Sequence, residues 1–292
     1  MLVSSAAPLI VLSTAKWLLT ADLPPWQRMW LFALAIYAGC KWLTWRIARR
    51  GASAHQRAFT WRDAAYLFAW PGMDARAFLS GNVQIAPTVR HWLFAAAKVA
   101  AGVGLVCAAA LLVDDAFWFV VGWLGMLGVG LILHFGLFDL LSLYWRSRGA
   151  EARPLMDWPV LAESLNQYWG RRWNTAFRDL AHQFVFRPAA ARFGARWALG
   201  LVFLVSGVVH DLVISLPAGA GYGGPTLFFA IQGCGALVEH SPSGRRLGLG
   251  QGLAGWLFTM LLVLAPLPLL FHRPFVTQVV LPMLRDLQGL LS

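Results

Sequence analysis

Apolar runs of roughly bilayer length alternate with short polar joints along most of this chain. The runs lie near 3–20, 29–45, 91–113, 116–144, 196–216, 224–240 and 252–271, with a shorter one near 275–291. A helix needs about 20 apolar residues to cross a bilayer's hydrocarbon, so the pattern predicts seven or eight spans. The expected fold is all-α, a polytopic transmembrane helix bundle forming a single membrane-embedded domain over 1–292. Proline and glycine mark the joints, at Pro24-Pro25, Pro71-Gly72, Gly219 to Pro225 and Ser241 to Gly244. Two joints are too long and too aromatic to be simple linkers. Residues 61–79 and 161–186 read as amphipathic helices lying in or dipping into the interface.

Composition supports this reading. Of 292 residues 59% are hydrophobic and only 13% charged, against about 25% charged in an ordinary soluble domain. In a soluble protein the net charge of +11 would suggest nucleic acid. Here the arginines occupy alternate loops: Arg46 to Arg90, then Arg146 to Arg196, then Arg245-Arg246, while the intervening loops hold Arg28 and Arg273. That alternation predicts the N-terminus and both long loops on the cytoplasmic side; the expected setting is a bacterial cytoplasmic membrane. Residues 1–20 lack a basic leader and a small-residue cleavage site, which suits a retained first span. Cys40, Cys107 and Cys234 lie in apolar runs without ligand spacing, so no disulfide framework or metal site is expected.

The candidate chemistry is concentrated between residues 161 and 212. His210 and Asp211 sit deep in an apolar run, where a charged group costs roughly 2.5–3.5 kcal/mol on insertion scales, so a functional site is the default reading. Ser206 and Gly207 give that run a small face through which a neighbour or substrate can approach the ring. Asp211 points about 100° away from His210 on a helix and should find another partner. Upstream, Trp169, Arg171, Arg172, Trp173, Asn174 and Arg178 crowd one amphipathic stretch. On a continuous helix Arg171, Asn174 and Arg178 would share one face, and Trp169, Trp173 and Phe177 another. The amide suits a developing oxyanion and the guanidiniums suit phosphate groups; a snorkelling interfacial helix is the plainer alternative.

His134 and Asp139, also within a run, read as a structural pair or as part of a shared tunnel. Glu239, His240 and His272 sit at span ends and read as boundary residues, as do His55, His91 and His182 near the loops. Trp70-Pro-Gly-Met-Asp74 reads as a turn folding over the cytoplasmic face. The sequence contains no G-x-S-x-G elbow, P-loop, HExxH or dinucleotide fingerprint.

Together Ser164-Leu-Asn-Gln-Tyr-Trp-Gly-Arg-Arg-Trp-Asn174, Phe186-Arg-Pro188 and Ser206-Gly-Val-Val-His210-Asp211 resemble the wax synthase-like branch of the membrane-bound O-acyltransferases. Trp70-Pro-Gly-Met-Asp74 is similar to another motif of that branch. The resemblance implies a tunnelled helical fold and transfer of an acyl group from acyl-CoA, a co-substrate rather than a bound cofactor, to a hydroxyl-bearing, lipidic acceptor. It implies His210 and Asn174 as the catalytic pair, with Trp169, Arg171, Arg172, Trp173 and Arg178 at the acyl-CoA mouth. No metal and no nucleic acid is expected, and membrane lipids are the surroundings. The family often carries His-Glu where this chain has His210-Asp211. The competing readings are a transporter or flippase for a lipid or anionic solute, for which no inverted repeat is visible, and a structural subunit.

Overall fold

A computed structural model describes residues 22–50, 58–81 and 87–292. The expected first span and His55 lie outside the described residues. Among those described, every regular element is helical.

Helix α1 (Pro25–Arg49) starts with proline at a position whose N–H has no helical partner, and ends with Arg46 and Arg49 in its last turn. Helix α2 (Trp61–Ala69) opens on a capping box between Thr60 and Asp63, and α3 (Ala75–Ser80) is capped by Asp74. These are the short helices expected of the first long joint. Four helices are long and apolar enough to cross a bilayer: α4 (Val89–Leu111), α5 (Trp118–Ser147), and two later ones, Ala195–Ala218 and Gly252–Leu270.

Between α5 and the third of these run α6 (Leu165–Gln167), which continues into a π turn at Tyr168–Arg172, then α7 (Thr175–Ala181) and α8 (Arg187–Phe193). The last part comprises α9 (Ala195–Ala218), α10 (Gly224–Glu239), α11 (Gly252–Leu270) and α12 (Leu281–Leu291). Helix α10 fills the expected sixth run but has only 16 residues.

Small residues let the apolar helices touch backbone to backbone. A methyl on Gly102 of α4 would meet the Gly128 carbonyl oxygen of α5 at 2.7 Å, and one on Gly128 would meet the Gly102 oxygen at 2.8 Å. Without a hydrophobic drive between helices in lipid, such close packing and polar contacts hold a bundle. The Lys98–Asp139 ion pair joins the same two helices, which gives Asp139 a structural partner.

The buried side chains form two clusters. The larger joins α6, α9, α10, α11 and α12 and includes Leu165, Phe203, Phe228, Phe229 and Leu281. The smaller gathers Tyr66, Trp70, Met73, Phe78, Trp145 and Ala176 around α2, α3 and the end of α5. Its turn is tied down on three sides: Lys41 Nζ donates to Gly72 O (2.7 Å), Tyr37 to Trp70 O (3.1 Å) and Trp145 Nε1 to Ala69 O (2.8 Å). Trp70-Pro-Gly-Met-Asp74 is thus an anchored core element, with Trp70 and Met73 buried.

Asp63 fastens α2 to α1. Its fully buried carboxylate accepts from Trp45 Nε1 (2.7 Å), Arg49 Nε (2.8 Å) and the Thr60 backbone N–H (2.7 Å), and pairs with the Arg49 Nη2. Burial alone would push this carboxyl up, but the hydrogen bonds from Arg49, Thr60 and Trp45 hold it down to about 2. The ionised form is therefore favoured by folding. Its contribution, on the order of 2–3 kcal/mol, is complete above pH ~4 and fades as pH falls toward 2. Asp63→Asn is expected to remove that stability, seen as a lower melting temperature at pH 7 in detergent. It should also flatten the variant's melting curve against pH below about 4; an acid dependence equal to wild type's would contradict this assignment.

Candidate active site

The segment that carries Asn174 is not one continuous helix. After the π turn at Tyr168–Arg172, Trp173 is extended (φ −102°, ψ 119°) and Asn174 is left-handed (φ 42°, ψ 64°) before α7 begins. The expected shared face of Arg171, Asn174 and Arg178 does not exist, because the break at Trp173-Asn174 resets the helical phase. Asparagine tolerates the left-handed region better than most residues, at a cost of order 1 kcal/mol.

A loop from Ala150 to Leu161 braces the break. Asp157 N–H donates to Arg172 O (2.8 Å), Thr175 N–H to Leu155 O (3.0 Å) and Asn174 N–H to the Met156 sulfur (3.2 Å). Trp158 is also left-handed (φ 45°) and stacks on Phe94 of α4. The Asn174 carbonyl accepts from Phe177 and Arg178 of α7, whereas its side-chain Oδ1 is buried without a hydrogen-bond partner among the described residues. A buried amide left unsatisfied costs about 1–3 kcal/mol and calls for an explanation. Asn174 lies between the two cores, since Trp173 packs on the larger and Ala176 belongs to the smaller.

The arginines differ from one another. Arg172 Nη1 donates to Asp157 O (2.9 Å) and Arg178 Nη1 to Gly170 O (2.9 Å), and Arg178 Nε pairs with Asp179 (2.8 Å). These two brace the loop and the π turn. Arg171 is exposed and makes no hydrogen bond or ion pair among the described residues.

His210 closes the first, α-helical part of α9, directly before a π turn at Asp211–Ser215. His134 also sits in a π turn, Leu131–Leu137; such bulges recur at functional sites. His210 Nδ1 is 2.7 Å from Ser206 O. A carbonyl only accepts, so Nδ1 carries the proton and Nε2 keeps a free lone pair. The ring lies 4.5 Å from that of Phe229 on α10. The small face at Gly207 admits α10: a methyl there would stand 2.6 Å from Thr226 Cα.

His210 and Asn174 are not hydrogen-bonded to each other, but one aromatic wall runs between them. Phe229 packs on Trp169 (5.5 Å), Trp169 on Trp173 (6.4 Å), and Trp173 directly precedes Asn174. His134 stacks on the same Trp173 (6.1 Å), so both intramembrane histidines border the wall. Trp169 is fixed by Nε1 donating to Gln232 Oε1 (3.2 Å), and Gln232 donates to Leu262 O (2.7 Å).

Asp211 turns to other partners. It accepts from Ser215 Oγ (2.8 Å), Gly223 N–H (2.9 Å), Thr226 N–H (3.1 Å) and the Thr226 hydroxyl, closing the start of α10. Glu239, read as a boundary residue, is buried and accepts from Leu165 N–H (2.6 Å), capping the helix that leads into the π turn. Glu163 binds the Gly252 N–H at the start of α11 (2.9 Å). The signal for Glu239 and Gln232 was present: each is a polar residue in an apolar run, the criterion that singled out His210. An apolar groove of about 350 Å³ between α10 and α11 includes Leu227, Ile231, Cys234 and Phe258. Those α10 residues face away from Phe229, so the groove is not part of the wall.

A match to a known protein family falls on this same region. Residues 152–231 match the Membrane bound O-acyl transferase family. The probable long-chain-alcohol O-fatty-acyltransferase 3 of Arabidopsis thaliana is 32% identical over 108 residues, 34% of this chain and 31% of that protein. The long-chain-alcohol O-fatty-acyltransferase of Simmondsia chinensis is 33% identical over 73 residues, 22% of this chain and 20% of that protein. The acyl-CoA–sterol O-acyltransferase 1 of Arabidopsis thaliana is 34% identical over 70 residues, 22% of this chain and 20% of that protein. The chain thus matches these relatives over about a third of their length or less. The segment that holds the Trp169–Asn174 turn and His210 is thus similar to the Membrane bound O-acyl transferase family.

Proposed function

We propose that this protein is an O-acyltransferase that moves an acyl group from acyl-CoA to the hydroxyl of a lipidic acceptor, as a wax ester synthase does. The observation that carries the reading is the state of His210: Nδ1 is committed to Ser206 O, which leaves Nε2 as a base beside an aromatic wall that leads to Asn174, whose buried Oδ1 has no partner among the described residues. An alcohol becomes a good nucleophile only as its proton leaves, and a positioned imidazole supplies roughly 10²–10⁴-fold.

In this reaction Nε2 of His210 takes the hydroxyl proton as the alcohol oxygen attacks the thioester carbonyl carbon. The Asn174 amide donates to the resulting oxyanion. Collapse of the tetrahedral intermediate breaks the carbon–sulfur bond, and the imidazolium returns the proton to the departing thiolate, giving ester and free CoA. Trp169, Trp173 and Phe229 keep water from the thioester. Arg171 is the guanidinium open to the CoA phosphates, while Arg172 and Arg178 shape the mouth that presents it. The arginine alternation supports a cytoplasmic side for this mouth and for the N-terminus. The printed names of the relatives make a long-chain alcohol the first acceptor to try and a sterol the second.

Purified protein in lipid nanodiscs, given labelled acyl-CoA and a panel of alcohols and sterols, should form ester and free thiol in equal amounts. Thiol release without ester, or no reaction with any acceptor, would count against the proposal.

A further inference from the structure

The acyl-transfer chemistry above makes no use of a buried polar chain behind His210. His272, read from sequence as a boundary residue, is 8% exposed and places Nε2 3.1 Å from the hydroxyl of Ser215, which is 0% exposed. Ser215 lies 2.8 Å from Asp211 Oδ1. The proton positions follow from the far side of the imidazole. Phe275 N–H donates to His272 Nδ1 (3.1 Å), so Nδ1 holds the lone pair and Nε2 carries the hydrogen. The direction is therefore His272 Nε2–H to Ser215 Oγ, and Ser215 O–H to Asp211.

This polarity excludes a serine nucleophile. In a hydrolytic triad the imidazole accepts from the serine, whereas here it donates. What the chain accomplishes is to fix Asp211. That carboxylate follows His210 directly and receives the N–H groups of Gly223 and Thr226, so it holds the first turn of α10. One turn further along α10 is Phe229, the ring on which His210 rests. The 219–223 turn is packed onto the imidazole as well, since a methyl on Gly221 would stand 2.4 Å from the His272 ring.

We propose that His272 is a positioning residue for the acyl-transfer site: through Ser215 and Asp211 it holds the start of α10 and so sets the seat of the His210 ring against Phe229. The inference rests on His210 being the base of the proposed reaction. A misplacement of about 1 Å at a reacting group can cost 10²-fold, so loss of this support should be visible in turnover.

The test compares His272→Gln, His272→Asn and His272→Leu in the full chain. Glutamine can place an amide N–H near the Nε2 position and keep the donor to Ser215. Asparagine can place a carbonyl near Nδ1 and keep the Phe275 cap, without that donor. For ester formation from acyl-CoA and a long-chain alcohol, kcat should fall about 10-fold or more in the asparagine and leucine variants. It should return to within about threefold in the glutamine variant, with KM for acyl-CoA unchanged throughout. A second readout is carbethoxylation of His210 by diethyl pyrocarbonate, followed by peptide mass spectrometry against pH. The asparagine and leucine curves should depart from wild type and the glutamine curve should overlay it. If kcat instead follows melting temperature, with asparagine better than glutamine, His272 is only a helix cap and the proposal is overturned. If wild type makes no ester, the acyl-transfer reading fails, and the carbethoxylation curves still decide this one: four coincident curves overturn it.

Discussion

His210→Ala is expected to lower kcat for ester formation by about 10²–10⁴-fold while leaving KM for acyl-CoA within a few-fold of wild type. The split follows from what the imidazole does. Nε2 acts only while the acceptor proton is moving, so its loss is felt in the transition state rather than in binding. The ring also packs on Phe229, and its removal leaves a small void whose effect should appear in the melting temperature. His210→Gln separates the two effects: it fills much of the space but presents an amide donor or a far weaker base in place of Nε2. Both variants should be equally inactive, with glutamine the more stable. In wild type, kcat should rise with pH as the imidazole loses its proton, and that rise should vanish in both variants. Turnover by His210→Gln within threefold of wild type would remove His210 from the chemistry.

Asn174→Gly should cost about 10²–10³-fold in kcat without loss of stability. At φ 42°, asparagine is one of the few side-chain-bearing residues tolerated, so a turn requirement alone could explain its presence. Glycine meets that requirement with less strain and deletes only the amide. Asn174→Ala deletes the same amide but keeps a Cβ in the left-handed region, so it should show the same catalytic loss plus about 1 kcal/mol of destabilisation. If Asn174→Gly is stable and fully active, the residue serves the turn alone and the oxyanion has another donor.

The intramembrane histidine and the two long amphipathic joints were legible because both rest on local rules, hydropathy period and the cost of polarity in hydrocarbon. The 100° offset between adjacent helical residues correctly sent Asp211 away from His210, though nothing in the sequence named Ser215, Gly223 and Thr226 as its partners. The single helical face drawn through Arg171, Asn174 and Arg178 failed. No proline or glycine marks Trp173-Asn174, and the break is imposed by a loop, Ala150 to Leu161, that has no pattern of its own. The π turns beside His134 and His210 were equally silent, since an extra residue in a helix leaves the apolar run unchanged. For Arg172 and Arg178 the sequence shows charge and spacing but not the backbone carbonyls of Asp157 and Gly170 that each also holds through Nη1. By their place at span ends Glu239 and His272 read as boundary residues, yet both are buried and bond to helix ends around the site.

The proposal depends most on His210 and Asn174, which are not hydrogen-bonded to each other, serving one transition state along the aromatic wall that links them. A double-mutant cycle on kcat measures this directly, using His210→Gln, Asn174→Gly and the combined variant in the same nanodiscs, with melting temperatures as a folding control. Groups that serve one step are strongly non-additive, so the combined variant should be no slower than the worse single variant. A loss equal to the product of the two single losses, in a protein that still folds, would show two independent contributions and contradict a shared site.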